Sequence, residues 1–240
     1  MYYKAAGPCS LDIHLYAMFL KPENSYCEVF HYMQIVPEKI DHRVNSLVEQ
    51  IGASEEPLYI DVTPEPYAKI KECFSAVNNK VNKDGGSRQL GWQIWQIPGV
   101  IIEAEFHAVW KSPKGRLVDI TPKSKPINKI LFIPDCNSKY DGAQRNNIRL
   151  NVSGNQLVDD FIRTSDAMHR LLNRGQRAYR REIDLSVDEA FTYRLLLNIK
   201  DMILKMAVAG KNVNTLCICG SGKEYQFCHG RILNELLKKI

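Results

Sequence analysis

The chain has 240 residues, of which 45% are hydrophobic and 25% are charged, and its net charge is +5. This length suffices for one substantial hydrophobic core, or for one domain with a small appendage, and the composition is ordinary for a soluble globular protein. The mild basic charge permits an acidic partner or nucleic acid but does not argue for either, because most lysines in such a chain lie on a solvated surface.

The N-terminal residues lack the pattern of a secretory signal. No charged segment precedes an apolar run there, and Asp12 and His14 interrupt the apolar residues. No apolar run approaches the ~18 residues that a membrane span requires, so we expect no membrane association. Seven cysteines, three of them near the C-terminus, then favour free thiols and a metal site over a disulfide framework. We expect a cytoplasmic protein.

Apolar periodicity in the first half of the chain predicts a mixed α+β fold. Residues 37–52 have a helical pattern that stops at Gly52, and residues 58–62 have the pattern of a short strand. A second helical pattern starts at Tyr67 and stops at a Lys-Asp-Gly-Gly turn; its apolar face holds Ile70, Cys73, Phe74, Val77 and Val81. We expect core or surface roles for the residues without motif spacing, which are Cys9, Cys27, His14, His31 and His42.

Three strands are predicted next, over residues 89–97, 100–110 and 116–120, and turn residues separate them. They should form an antiparallel meander. In the middle strand, His107 alternates onto a face that is more polar than a core face should be; the other residues on it are Glu103, Glu105 and Val109. Such a face must either meet solvent or line a site.

Cys73, His107 and Asp119 follow one another in the order that thiol catalysis requires: a nucleophile, a base that activates it, and a carboxylate that orients the base. Antiparallel pairing across a short turn can bring Asp119 within side-chain reach of His107. The alternative interpretation of Cys73 is a small apolar residue on the buried side of its helix. The pattern therefore predicts a catalytic triad, with a purely structural cysteine as the competing hypothesis.

The second half of the chain is predicted to be mostly helical. A strand is expected at residues 130–133, and a long exposed loop, rich in Asn, Gly and Asp, at residues 137–155. Helices follow over residues 156–173 and, after a capping box that begins at Ser186, to about Ala209. The first of these helices ends in a basic run that either binds an acidic partner or forms a solvated, salt-bridged face; it comprises Arg170, Arg174, Arg177, Arg180 and Arg181.

Residues 217–230, CICGSGKEYQFCHG, have the ligand spacing of a zinc site. Three thiolates and an imidazole suit tetrahedral zinc, and the candidate ligands are Cys217, Cys219, Cys228 and His229. Glycines between the two pairs allow the chain to fold back so that the pairs converge. Four protein ligands leave no open position for substrate, so the predicted zinc is structural or serves docking.

This stretch resembles the SEC-C motif, the zinc-binding tail of the SecA translocation ATPase and of many other bacterial proteins. The shared pattern is Cys-x-Cys, eight residues that contain Gly-Ser-Gly-Lys, and Cys-His. The resemblance implies bound zinc and a docking role. In SecA the motif engages a chaperone and the ribosome, but the partner does not carry over to other proteins.

Residues 73–122 resemble the transglutaminase-like superfamily of papain-type thiol enzymes. The helix that contains the cysteine leads through a Gly-rich turn into the strands, and the family's histidine and aspartate motifs correspond to His107-Ala-Val-Trp and Asp119-Ile-Thr-Pro. Two departures stand out, because the aromatic after the histidine is displaced to Trp110 and Ile120 replaces a proline. The resemblance implies a helix bearing Cys73 packed on an antiparallel sheet bearing His107 and Asp119.

The same resemblance implies a peptidase, amidase, deamidase or cross-linking enzyme that acts on a protein or peptide through a thioester. The oxyanion donor is left open among the Cys73 amide and the side chains of Gln89, Trp92 and Gln93. The competing function is a non-catalytic adaptor that binds a protein, ribosome or nucleic acid through the knuckle and basic helices. A zinc nuclease is a third alternative, weakened by the closed ligand set.

The predicted domain organisation has four segments. Residues 1–135 form the transglutaminase-like domain, with residues 1–60 as a candidate cap over the cleft. Residues 136–155 are a loop, residues 156–212 a helical segment, and residues 213–240 the SEC-C motif with a terminal helix.

Overall fold

The structure is a computed structural model that describes the backbone of residues 3–6 and the full residues 33–240. Within them the protein has a mixed α+β fold with five α-helices and eight strands. In chain order the elements are β1 Tyr3–Ala6, α1 His42–Ile51, β2 Leu58–Val62, α2 Cys73–Asp84, β3 Ser87–Ile97, β4 Ile101–Lys111, β5 Leu117–Asp119, β6 Lys129–Pro134, β7 Ile148–Asn151, α3 Gln156–Leu172, β8 Glu182–Leu185, α4 Val187–Val208 and α5 His229–Leu237. None of the helices in the described ranges is both long and apolar enough to cross a membrane.

The described residues divide into two compact units. The barrel unit comprises residues 34–98 and 102–150, and the helical unit comprises residues 3–6, 33, 99–101 and 151–240. The division after Leu150 falls inside the segment predicted as a loop, where the chain instead forms β7. Residues 7–32, with Cys9, Cys27, His14 and His31 and part of the predicted cap, lie outside the described residues.

The barrel unit is a six-stranded sheet with the order β3-β6-β2-β5-β4-β7, in which β3 also pairs with β4 and closes a small barrel. β6 pairs antiparallel with both β2 and β3, β5 pairs parallel with β2, and β4 pairs antiparallel with β5. The inner face holds an apolar cluster of Ile60, Val109, Ile130 and Phe132. Gly91 is required at the β3–β6 pair, because a Cβ there would lie 2.2 Å from the Ile133 carbonyl oxygen.

Helix α2 packs on the outer face of this barrel. Its buried residues Cys73, Ala76 and Val77 contact Ala108 of β4 and Ile120 after β5. The helix begins at Cys73, so the prediction of a helix from Tyr67 is wrong at its start. Lys71 has a positive φ of 65°, a left-handed conformation that a continuous right-handed helix does not admit.

The helical unit is built on α3 and α4, and β8 pairs antiparallel with β1 beside them. The predicted capping box is present: the Ser186 side chain accepts from the Glu189 amide, and the Glu189 carboxylate accepts from the Ser186 amide. Arg177 from the basic run binds the same carboxylate at 2.7 Å, so this arginine belongs to an ion pair in the fold. Asn155 caps α3 and also donates to the Lys211 carbonyl, which ties the start of α3 to the end of α4.

Candidate functional site

His107 and Asp119 are in direct contact inside the barrel. Nε2 of His107 lies 3.1 Å from Oδ2 of Asp119, and both residues are buried, with exposed fractions of 4% and 0%. The antiparallel β4–β5 register, in which Trp110 is opposite Val118, places both side chains on the same inner face. The predicted proximity of this pair is confirmed. On the predicted polar face of β4, Glu103 is also buried, whereas Glu105 is partly exposed.

Lys123 completes the network, although the sequence patterns did not single it out. Its ammonium donates to Oδ2 of Asp119 at 2.6 Å and to Oε1 of Gln93 at 2.7 Å, and it lies 3.4 Å from Nε2 of His107. The other carboxylate oxygen of Asp119 accepts from the Thr121 amide at 2.9 Å. Asp119 and Lys123 are four residues apart, but this spacing predicts a contact only in a helix, and residues 120–123 are not helical.

The network has opposite effects on its two acid–base groups. Burial raises the pKa of Asp119, but the charges of His107 and Lys123 and their hydrogen bonds outweigh it, so the pKa lies well below the usual range. For His107, burial and the Lys123 cation lower the pKa. The Asp119 carboxylate, a thiolate at Cys73 and the hydrogen bond that His107 donates to Asp119 prevail and raise the pKa to about 9.

Cys73 is the first residue of α2 and is buried, with an exposed fraction of 4%. It packs against Ala108, the neighbour of His107 on β4. Successive residues of a strand point to opposite faces, so Cys73 and the His107–Asp119 pair approach β4 from opposite sides. No hydrogen bond joins the Cys73 sulfur to His107 among the described residues, yet a thiolate at Cys73 acts on the pKa of His107.

Only one of the three side chains considered as oxyanion donors has an unused donor group. Trp92 Nε1 donates to Asp135 at 3.2 Å, and Gln89 Nε2 donates to the Leu90 carbonyl at 2.8 Å. Gln93 Nε2 is buried and has no hydrogen-bond partner in the part of the chain that the structure describes. Its Oε1, which accepts from Lys123, places this amide on the Asp119 side of His107.

The segment after β6 covers the aromatic residues beside Cys73 and His107. Tyr140 stacks on Phe74, with ring centroids 3.8 Å apart, and the Arg145 guanidinium lies 4.1 Å from the centre of the Phe106 ring. Arg145 also donates to Ser138 Oγ at 3.0 Å. Residues predicted as an exposed loop therefore pack on the barrel unit.

The second cluster lies at the C-terminus, in the helical unit. One ligand atom from each of its four residues lies within 4.8 Å of the others, and the residues are Cys217, Cys219, Cys228 and His229. Nδ1 of His229 is 3.2 Å from the Cys217 sulfur and 3.4 Å from the Cys228 sulfur, and the sulfurs of Cys219 and Cys228 are 3.5 Å apart. A tetrahedral zinc with bonds of about 2.0–2.3 Å holds its donors about 3.5–3.8 Å apart, so the donor set fits such an ion.

The chain around the cluster folds back through local backbone contacts. The Cys217 amide donates to the Lys223 carbonyl at 2.8 Å, and both Gly220 and Gly222 take a positive φ, as the predicted turn requires. Tyr225 is fully buried and donates its hydroxyl to Asp160 of α3 at 3.0 Å. Burial, followed by the Asp160 carboxylate, raises the pKa of Tyr225 well above its usual range.

Residues 214–231 match the family model of the SEC-C motif. The match covers the ligand cluster and the reversal of the chain between its two pairs, and the predicted ligand positions of this SEC-C segment do converge. No curated protein and no solved structure matches the chain. The likeness of residues 73–122 to transglutaminase-like enzymes therefore remains a resemblance of residues and their order.

Proposed function

We propose that the protein is a Cys-His-Asp thiol hydrolase or acyltransferase that acts on an amide of a protein or peptide. The observation that supports this most is the buried His107–Asp119 pair. Burying a charged pair costs free energy of folding, and buried pairs with shifted pKa values are found most often at functional sites. Asp119 occupies Nε2 and leaves Nδ1 of His107 as the nitrogen for proton transfer. Cys73, at the start of a 12-residue helix, supplies the thiol.

The proposed reaction moves one proton between sulfur and imidazole. Nδ1 of His107 takes the Cys73 proton, and the thiolate attacks the acyl carbonyl to form a carbon–sulfur bond. His107 then gives its proton to the leaving amine as the carbon–nitrogen bond breaks, which leaves a thioester on Cys73. Water or a second amine, deprotonated by His107, attacks the thioester and restores the thiol. Asp119 orients the ring and stabilises the imidazolium throughout.

The mechanism sets a geometric requirement on the start of α2. The Cys73 sulfur must come within about 4 Å of Nδ1, and catalytic contacts of this kind tighten when substrate binds. Because Cys73 packs against Ala108 on the opposite face of β4, the proposal requires the start of α2 to shift so that the sulfur reaches Nδ1.

We further propose that the SEC-C cluster holds a structural zinc ion. Cys217, Cys219, Cys228 and His229 would bind it, and the ion when bound supplies folding energy to this short segment. The chain's own residues orient the ligands: Ser221 Oγ lies 3.2 Å from the Cys228 sulfur, and the Met202 sulfur lies 3.6 Å from that of Cys217. All four ligands come from the protein, so the site has no part in the acyl chemistry.

The proposed catalysis is tested by the rate at which a chloroacetamide reagent alkylates each thiol at neutral pH, followed by peptide mass spectrometry. We expect Cys73, although buried, to react faster than the exposed Cys136, and His107→Gln to slow alkylation of Cys73 by about 100-fold or more. Cys73→Ala and Cys136→Ala assign the two signals. Faster reaction at Cys136, with no effect of His107→Gln at Cys73, would refute the catalytic proposal.

A second candidate function is a non-catalytic adaptor, which one observation favours. The SEC-C segment exposes three large apolar side chains, Leu216, Ile218 and Phe227, with exposed fractions of 60%, 45% and 63%. Cosedimentation with purified ribosomes tests this alternative. Binding that Phe227→Ser abolishes in the zinc-loaded protein would favour an adaptor, whereas no binding by the wild type would remove the ribosome as its partner.

A further inference from the structure

The ammonium of Lys123 is nearly buried within the His107–Asp119 network. Its side chain is 10% exposed, and its two direct acceptors are Asp119 Oδ2 and Gln93 Oε1. Burying a cation beside a histidine that must itself gain a proton is unfavourable for the imidazolium. One cation would be enough to neutralise Asp119. In this network, however, both the His107 imidazole and the Lys123 ammonium contact the same oxygen, Oδ2 of Asp119.

The chemistry of the lysine fixes the direction of each hydrogen bond. An ammonium donates and never accepts, so Asp119 Oδ2 and Gln93 Oε1 accept from Lys123. With the carboxylate ionised, His107 Nε2 donates to the same oxygen. This arrangement selects the tautomer with hydrogen on Nε2, and it leaves the lone pair of neutral His107 on Nδ1.

We propose that Lys123 is a positioning residue that keeps Asp119 ionised and in place while it limits how strongly Asp119 holds the proton of the His107 imidazolium. This role rests on the proposed thiol chemistry, in which His107 must both take and release a proton. Without Lys123, the buried carboxylate would hold the imidazolium more tightly, and release of the proton to the leaving amine would be less favourable. Gln93 fixes the ammonium at the point where it acts on both neighbours.

The other charged groups around His107 are accounted for. Asp119 comes from β5, Lys123 from the segment after it and Cys73 from α2, while Gln93 of β3 is neutral. On β4 itself, Glu103 pairs with Arg149 at 2.8 Å and Glu105 accepts from Trp95. Lys123 is therefore the cation whose removal should change the titration of His107 most.

The test is a ¹⁵N and ¹³C NMR titration of the imidazole of His107 in the full chain, with the signal assigned by its loss in His107→Gln. Lys123→Gln retains a donor for Asp119 and removes the charge, and we expect it to raise the pKa of His107 by about one unit or more, a tenfold change in the ratio of imidazole to imidazolium. Lys123→Arg should stay near the wild type. Lys114→Met removes an exposed lysine of the β4–β5 turn and should leave the titration unchanged.

A pKa of His107 that does not rise in Lys123→Gln, relative to Lys114→Met, overturns the proposal. If the variant does not fold, the wild type still decides, because its neutral imidazole must carry hydrogen on Nε2. An Nδ1–H tautomer would mean that Lys123 donates to Nε2, and it would also overturn the proposal. The titration is measured at His107, whereas the alkylation experiment is measured at Cys73. The proposal for Lys123 and the proposed thiol chemistry can therefore be refuted separately.

Discussion

The two candidate sites differ in how the chain assembles them. The SEC-C cluster takes all its ligands from residues 217–229, and the folding back of that short segment brings them together. The His107–Asp119–Lys123 network instead needs Gln93 from β3, the β4–β5 pair and the segment after β5. The first site is a property of local chain geometry, and the second is a property of the barrel.

The difference extends to what each site depends on. The four donors of the SEC-C cluster are placed by a short segment that contains two glycines with positive φ and a hydrogen bond from the Cys217 amide to the Lys223 carbonyl. The buried network depends on strand register, since a shift of one residue in β4 would turn His107 out of the barrel. A metal ion should therefore control the stability of the first site, whereas ion pairing should control that of the second.

The largest expected effect is the loss of the metal. A Cys219→Ser/Cys228→Ser variant should lose the zinc, about one ion per chain in the wild type, because a structural zinc binds with an apparent ~10–16 kcal/mol that two ligands cannot supply. Metal analysis after gel filtration measures the content, and hydrogen exchange should show lost amide protection over residues 214–237. Cys136→Ser, which removes an exposed free thiol, is the control. Full zinc content in the double variant would contradict the assignment of the ligands.

Sequence patterns predicted local features better than distant ones, and the two sites show why. The ligand spacing of the SEC-C segment and the capping box at Ser186 depend on neighbouring residues alone, and both are confirmed. The contact between His107 and Asp119 followed from a short turn between adjacent strands. Lys123 and Gln93 were not predicted as its partners, because their meeting depends on closure of the barrel by the β3–β4 pair, and no periodicity encodes it.

A second prediction concerns the buried carboxylate. Asp119→Asn leaves Lys123 and His107 without their counter-charge, and breaking a buried pair in this way lowers the free energy of unfolding by about 3–5 kcal/mol. Urea unfolding followed by circular dichroism measures the change. The matched control is Asp61→Asn, which breaks an ion pair with Arg116 whose side chains are 44% and 69% exposed, and it should have a much smaller effect. Equal effects of the two variants would show that the network is no more than a surface ion pair.

The smallest of these effects is a pH dependence that separates the network from the metal site. The pKa of His107 is about 9 in the folded protein and about 6.5 in the unfolded chain, so the folded protein binds the proton more tightly. The resulting stabilisation is fully present below roughly pH 6.5 and is lost as the pH rises towards 9, and its size is about 3 kcal/mol. Asp119 does not contribute in this window, because its pKa is lowered and its effect appears only in acid.

The free energy of unfolding, measured with urea at several pH values, should therefore fall across this range in the wild type and much less in His107→Gln. His42→Gln replaces an exposed histidine of α1 and should retain the wild-type slope. An unchanged slope in His107→Gln would assign the pH dependence to other groups, and it would mean that His107 is not held as an imidazolium by Asp119. The Cys219→Ser/Cys228→Ser variant should keep the wild-type slope, since loss of zinc should not alter a proton bound inside the barrel. Loss of the slope in this variant would locate the pH dependence at the metal site.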